Sequence, residues 1–301
     1  MTNALARMLQ RLRELSGNAA KVLSMNQRNL EYIYPNNRRM HYPIADNKLL
    51  TKELLIKAGV NVPQTFIVYS YFYELRNLDE DLALHSEFVI KPAKGSGGGG
   101  IIVIVGKDGD QWISVGGTRY SAQELRRQIG DIIFGIHSFG LSDQAIVEQR
   151  IKQHPAIERL SAGGLADVRI ILYNEVVIMS MIRLPTSISG GRANLHQGAV
   201  GAGIDLKSGT TTGASLKGAP TTHHPDIGCD LIGVGIPFWN EVLEAGMKAA
   251  KAIPLKYIGV DVAISVNGPV ILEINVRPGI EIQNVSQRGM RDILQASEMT
   301  R

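Results

Sequence analysis

Residues 257–279, YIGVDVAISVNGPVILEINVRPG, decide the fold. Val260, Val262, Ile264 and Val266 alternate with Asp261, Ala263 and Ser265; after Asn267-Gly268-Pro269, Val270, Leu272, Ile274 and Val276 alternate with Ile271, Glu273, Asn275 and Arg277. Alternation of this kind predicts two strands. Side chains repeat with period two along a strand, so Glu273, Asn275 and Arg277 share a face. A carboxylate and an amide two apart, with Asp261 on the neighbouring strand, are hard oxygen donors suited to Mg²⁺ held between protein and phosphates. Register tests this reading. A two-residue Asn-Gly turn would pair Val266 with Pro269 and leave Asp261 and Glu273 on opposite faces. A shared metal therefore requires an odd connection or a bulge, and the odd connection is the expectation. An ordinary hairpin with solvated acids is the competing reading.

The chain has 301 residues, 44% hydrophobic and 20% charged, as expected of a soluble globular protein of one large or two small domains. No apolar run approaches the ~20 residues of a membrane span, and the first residues lack the apolar centre of a signal peptide. A single cysteine, Cys229, excludes an internal disulfide and a cysteine metal cluster, so cytoplasm is the expected compartment. Residues 1–50 carry eight Lys or Arg against three acids, a net of +5, whereas the whole chain is +4. The basic character thus belongs to the N-terminal stretch, and the near-neutral remainder speaks against nucleic acid.

Residues 2–15 place Leu5, Met8, Leu9, Leu12 and Leu15 at helical spacing, for a helix docked on its own domain, on a partner helix or on an anionic membrane. The Asn-rich, Pro-broken residues 26–45 predict an ordered arm with little regular structure. Asp46 is expected to cap a helix through Ala58, stopped by Gly59, with Lys48 and Lys52 one turn apart, within reach of a phosphate but each read first as solvated. Phe88–Gly100, FVIKPAKGSGGGG, delivers Lys91 at a strand end before a glycine loop. Such a loop can fold over phosphates, with Lys91 and Lys94 as point charges; a plain mobile hairpin tip competes. It is not a Walker loop, because no Gly-Lys-Ser/Thr follows. AIVEQRI (145–151) reads as a strand whose Glu148 can accept from a base amine. DVRIILY (167–173) and VVIMSMIRL (176–184) form a hairpin in which Asp167 and Arg169 share a face, and an inward arginine requires an anion. The glycine-rich 185–235 lacks periodicity, the mark of a disordered or active-site loop. His223-His224 read as exposed histidines, Cys229 as a small core residue.

A lysine-ended strand, a glycine flap, a strand ending in Glu, an Asp-x-Arg strand, an Arg-x-Asn-x-His loop and a strand pair bearing Asp, then Glu-x-Asn, follow one another in that order. The set resembles the ATP-grasp superfamily, most closely RimK-type glutamate ligases, over roughly residues 44–292. The basic RNLEYIYPNNRR arm, in place of a longer leading domain, looks like a group of α-L-glutamate ligase-like proteins. The resemblance implies an α+β fold, two lobes with antiparallel sheets clamping ATP. It divides the chain into a helix and arm (1–45), a part with the small lobe and flap (46–143) and a C-terminal lobe (144–301). Lys52, Lys91, the loop of Gly95, Ser96, Gly97, Gly98 and Gly99, Glu148 and the backbone of Gln149, Arg150 and Ile151 would bind ATP. Asp261, Glu273 and Asn275 would hold Mg²⁺, with Mn²⁺ as an alternative. Arg169, Arg192, Asn194, His196 and Arg277 would surround the reacting carboxylate. The implied activity is an ADP-forming carboxylate–amine ligase that joins glutamate or another amino acid to a peptide, protein or small amine through an acyl phosphate. A catalytically silent ATP-binding scaffold, docking a partner through its basic arm, is the alternative; a homo-oligomer fits either.

Overall fold

The computed structural model describes residues 20–95 and 97–299. The helix expected over 2–15 and the flap residue Ser96 lie outside the described residues. One antiparallel sheet is built from β1 (Thr65–Tyr69), β2 (Phe88–Pro92), β3 (Ile102–Asp108), β4 (Gln111–Ser114), β5 (Arg119–Tyr120) and β6 (Ala145–Glu148), in the order β1-β6-β2-β3-β4-β5. A second comprises β7 (Asp167–Tyr173), β8 (Val176–Leu184), β9 (Val200–Ile204), β10 (Thr211–Leu216), β11 (Ala219–Thr221), β12 (Tyr257–Ser265) and β13 (Gly268–Asn275), in the order β11-β10-β9-β8-β7-β12-β13. Five helices carry labels: α1 (Lys48–Lys57), α2 (Ala122–Ile133), α3 (Trp239–Ala252), α4 (Ile282–Val285) and α5 (Arg291–Met299). Each sheet has its own core, that of the first centred on Phe88, Ile90, Trp112 and Leu125. The expected α+β architecture is present. β6 pairs with β1 and β2 and so lies in the first sheet, although it follows residue 144.

The decisive hairpin reaches the expected geometry by the other route. Ser265 pairs with Gly268 across a two-residue turn, Val266-Asn267, so the odd connection is wrong. A bulge at Leu272 restores parity: Val262 pairs with Ile271, but Asp261 pairs with Glu273. Ile271 and Ile274 are both buried although three apart, which uninterrupted period two forbids. β7 continues the register, with Arg169 opposite Asp261 and Met181 opposite Arg169, and Gly203 opposite Met181. One face thus carries a row across five strands: Gly203, Met181, Arg169, Asp261, Glu273. The other face packs on α3, where a methyl on Gly246 would sit 3.1 Å from Ile170 Cδ1.

Three further expectations are corrected. Residues 26–45 are regular after all, as short helical turns including a π-helical segment, Arg28–Ile33; Pro35 and Pro43 occupy first-turn positions of their helices, where a missing N–H costs nothing. Leu23, Tyr32, Ile33, Tyr42 and Ala45 enter the core of the larger sheet, and Asn37 bonds the backbone of Lys256 and Tyr257. The cap of α1 is Asn47, which accepts from Leu49 N, not Asp46.

Residues 185–235 are not a long loop, because they contain β9, β10 and β11. Their glycines conceal the strands. A Cβ at Gly201 would lie 2.8 Å from Val285 Cγ2, and one at Gly203 2.6 Å from Ser286 Oγ, so the small residues let α4 lie against the sheet. Gly203→Val is therefore expected to cost about 1–3 kcal/mol through overpacking. A shift of the denaturation midpoint measures this, and an unchanged midpoint would show α4 free to move aside.

Candidate active site

The glycine flap and the larger sheet close on a narrow recess of about 20 Å³, lined by Lys48, Lys91, Gly95, Gly98, Gly99 and Glu273. Each lining residue follows from local structure. Lys91 sits near the end of β2, and Pro92 turns the chain so sharply that a Cβ on Gly95 would lie 2.2 Å from Pro92 Cγ. Gly98 has φ +79°, a left-handed conformation that only glycine adopts cheaply, and Arg192 Cδ would lie 3.1 Å from a Cβ there. Gln197 Nε2 donates to Gly97 O at 3.1 Å, so the flap rests on the loop that carries Arg192 and His196. Lys94 points elsewhere: its ammonium donates to Ser142 O, while its backbone N–H is held by Asp143.

Neither lysine of α1 is solvated. Lys48 is buried, donates to Gly95 O at 2.7 Å and stands 3.9 Å from Glu273 Oε2; burial pushes its ammonium below the ordinary lysine range. Lys52 is buried too, 2.5 Å from Glu148 Oε2 and 2.7 Å from Thr65 Oγ1; burial lowers its pKa and Glu148 opposes that. Lys91 reaches the other oxygen of Glu148, also at 2.5 Å. Glu148 is thus committed to two ammonium groups and has no oxygen turned to a base. In the segment after it, Gln149 N donates to Gln64 O, and Arg150 pairs with Glu87 at 2.9 Å. Ile151 is half-buried.

On the sheet beside the recess, Arg169 grips Asp261 with two hydrogen bonds, the second at 2.8 Å. Arg183 bridges Asp167 and Asp261, at 2.6 Å and 2.9 Å. The inward arginines therefore have their anion, and it is the expected metal ligand. Two carboxylates share Arg183. Desolvation raises both, but Asp261 also faces Arg169 and falls to about 2, whereas Asp167, burdened by the neighbouring negative charge, rises to about 6. Asp261 is anionic at neutral pH. Asn275 Nδ2 donates to Asp261 Oδ2 at 3.2 Å, and Glu273 is directly across the strand pair with a third of its side chain exposed.

Two carboxylates stand opposite each other here with one amide beside them, and among the described residues no group of three His, Cys, Asp or Glu could hold a metal ion. That donor set fits a hard cation whose remaining ligands come from phosphate oxygens, and does not fit a closed all-protein site. Lys48, Lys52, Lys91, Arg169 and Arg183 outnumber Glu148, Asp167, Asp261 and Glu273 by one charge. A lone cation would meet a positive surround; a polyanion carrying its cation would not.

The remaining predicted residues do not line the recess under the flap. Arg277 lies over the ring of Tyr42 at 5.5 Å. Asn194 caps the Leu195–Gln197 turn, its Oδ1 accepting from His196 N. His196 Nε2 is 3.3 Å from Glu281 Oε1. The site residues expected from sequence did not include Lys48, Arg183 or Glu281; Lys48 carried a signal in its place one turn from Lys52, and Arg183 in its place at the end of an apolar strand. The histidine pair divides: His223 is exposed and paired with Asp230, whereas His224 is buried, with Nε2 3.0 Å from Pro185 O. Cys229 is half-buried against the core, as expected.

Comparison with known proteins follows the same lines. A family model described as sugar-transfer associated ATP-grasp matches residues 27–299. A probable alpha-L-glutamate ligase of Pseudomonas putida (strain GB-1) is 26% identical over 250 residues, 83% of this chain and 61% of that protein. The ribosomal protein bS6–L-glutamate ligase of Shigella boydii is 24% identical over 249 residues, 82% and 61%. The chain thus spans about three fifths of the length of these curated relatives. Among solved structures, the VanG D-Ala:D-Ser ligase of Enterococcus faecalis superposes with a TM-score of 0.50 at 17% identity, over 84% of this chain and 61% of that one. No helix of the described residues is long and apolar enough to cross a membrane.

Proposed function

The chain belongs to the sugar-transfer-associated ATP-grasp family, and from that premise we propose that it is an ATP-dependent carboxylate–amine ligase using Mg²⁺, joining glutamate or another amino acid to a peptide, protein or small amine. One observation carries the reading: Asp261 and Glu273 stand paired across a bulged hairpin, beside a lysine-lined recess roofed by the glycine flap. Lys48 and Lys91 meet phosphate oxygens. Lys52 acts on them indirectly, by sharing Glu148 with Lys91. Asp261, Glu273 and Asn275 would hold Mg²⁺, which would supply charge neutralisation for phosphoryl transfer. A substrate carboxylate oxygen attacks the γ-phosphorus of ATP and the bond to ADP breaks. An amine then attacks the acyl carbon, releasing inorganic phosphate and a proton. Positioning and charge neutralisation are the main demands of the first step, and the fixed cations answer both. The flap resting on Gln197 keeps water from the acyl phosphate.

ADP release from Mg-ATP, scored with mixtures of carboxylates and amino acids, tests this. ADP is expected only when a carboxylate is supplied, with hydroxylamine trapping the acyl phosphate as a hydroxamate and EDTA stopping both. Tight ATP binding without ADP or hydroxamate from any mixture would leave a silent nucleotide-binding protein and end the ligase reading.

A further inference from the structure

Two short segments, one after β1 and one after α2, put large hydrophobic side chains at the surface. Tyr71, Phe72 and Tyr73 come from the first; Phe134, Ile136, Phe139 and Leu141 come from the second, and all are at least half exposed. The segments lie side by side. The rings of Phe72 and Phe134 stack with centroids 5.7 Å apart, those of Tyr71 and Tyr73 with centroids 5.8 Å apart, and Gln144 Nε2 donates to Ser70 Oγ at 2.7 Å. We propose that a second copy of the chain docks on this face, forming a two-fold homodimer. None of these side chains lines the recess under the flap, so the inference stands apart from the ligase reading.

The face is built, not loose. Ile136 N donates to Asp131 O, Gly140 N to Gly135 O and Leu141 N to Ser138 O, and the buried Ser138 hydroxyl donates to Asp143. Within that frame Phe139 takes φ +55°, a left-handed backbone that a bulky residue adopts only at a cost. Its side chain is 91% exposed, more than any other large hydrophobic among the described residues. Strain that turns an apolar ring into water stabilises nothing within one chain; it is offset once the ring is covered.

Area and charge select the occupant. Five rings of about 150–250 Å² each and two aliphatic side chains, exposed to this degree, present roughly 800 Å². That exceeds the largest apolar patch of an ordinary monomer, about 300–600 Å², and matches the roughly 800 Å² that each partner contributes to a standard interface. The charged side chains of 70–77 and 134–142 are Glu74 and Arg76, and Glu74 is committed to the backbone N–H groups of Ser70 and Tyr71. A partner of strong charge of either sign therefore has little to grip. Asp79, Glu80 and Asp81 follow directly, and three carboxylates beside the face repel an anionic membrane. What the face calls for is another apolar, ring-rich surface, and in a two-fold contact the same patch supplies it from both sides.

Sedimentation equilibrium of the full chain across micromolar concentrations tests the inference. A mass twice that of one chain is expected. Phe139→Gly, which suits the backbone at φ +55°, and Tyr73→Glu should each raise the dimer dissociation constant about tenfold or more. Their circular-dichroism spectra should stay as in the wild type. A monomer at every concentration overturns the inference, and so does a dimer that either variant leaves unchanged. Binding of the wild-type chain to phosphatidylglycerol vesicles, abolished by Phe139→Gly, would give the face to a membrane and overturn it as well.

Discussion

Glu148→Gln is expected to destabilise the protein by about 3–5 kcal/mol, the cost of stranding buried charge, and to lower its melting temperature by roughly 10 °C. Lys52 and Lys91 are both buried, and each has its ammonium 2.5 Å from a different oxygen of Glu148. The amide keeps shape and one acceptor but removes the charge that makes two buried ammonium groups tolerable. Thr65 Oγ1 is the other partner of Lys52, and a neutral hydroxyl cannot replace a carboxylate. The pH dependence carries a definite sign. Burial already lowers the pKa of Lys52 from the ordinary lysine value of 10.5, and losing Glu148 removes the main influence that raises it. A lysine depressed in the folded state binds its proton less well there than in the unfolded chain. The deficit is therefore largest at neutral and lower pH and shrinks as pH rises toward 10.5. Denaturant titrations of both proteins at pH 7 and pH 9.5 measure the difference. Equal stability at pH 7 would mean that water reaches the lysines and that the recess is not the enclosed cationic site drawn above.

That ion triad also marks where the sequence stops being legible. Two lysines a turn apart on a helix read as solvated, because nothing local says otherwise; the acid that draws Lys52 inward lies 96 residues beyond it, and Lys48 turns instead to Gly95 O and Glu273. Burial of charge is a tertiary decision. The apolar runs bounded by turn residues were legible almost to the residue: β7 and β8 have the expected bounds, and the type of turn between them follows from Asn174 and Glu175, both with positive φ. The bulge at Leu272 was not, because an inserted residue in a strand of Val, Ile and Leu breaks no hydrophobic pattern that a reader can see. β9 and β10 were missed for the opposite reason. Glycines at 201, 203 and 213 erase the apolar signal, and they are there because α4 needs the space. The candidate metal residues were legible by type and the face they share by chemistry alone; the register that puts them together was not.

Asp261 and Glu273 face each other across that register, yet they should fail differently when neutralised. Glu273→Gln is expected to reduce ADP release at least about 10²–10³-fold, as loss of a charge aimed at phosphoryl transfer does, with stability near that of the wild type. A third of the Glu273 side chain is exposed and its nearest cation, Lys48, stands at 3.9 Å; a pair that loose contributes about 0–1 kcal/mol. Asp261→Asn should abolish turnover and also cost about 3–5 kcal/mol, because Arg169 and Arg183 would both remain buried around a neutral amide. Its carboxyl, held at about 2 by those guanidiniums, is ionised throughout the range in which the protein can be assayed, so no choice of pH mimics or rescues the variant. Activity and denaturant midpoint measured on both variants separate two roles that one assay would merge. If Glu273→Gln unfolds as readily as Asp261→Asn, the two carboxylates serve one structural network and the division between a charge-holding and a cation-facing acid is wrong. If Glu273→Gln keeps wild-type turnover, the cation is held elsewhere.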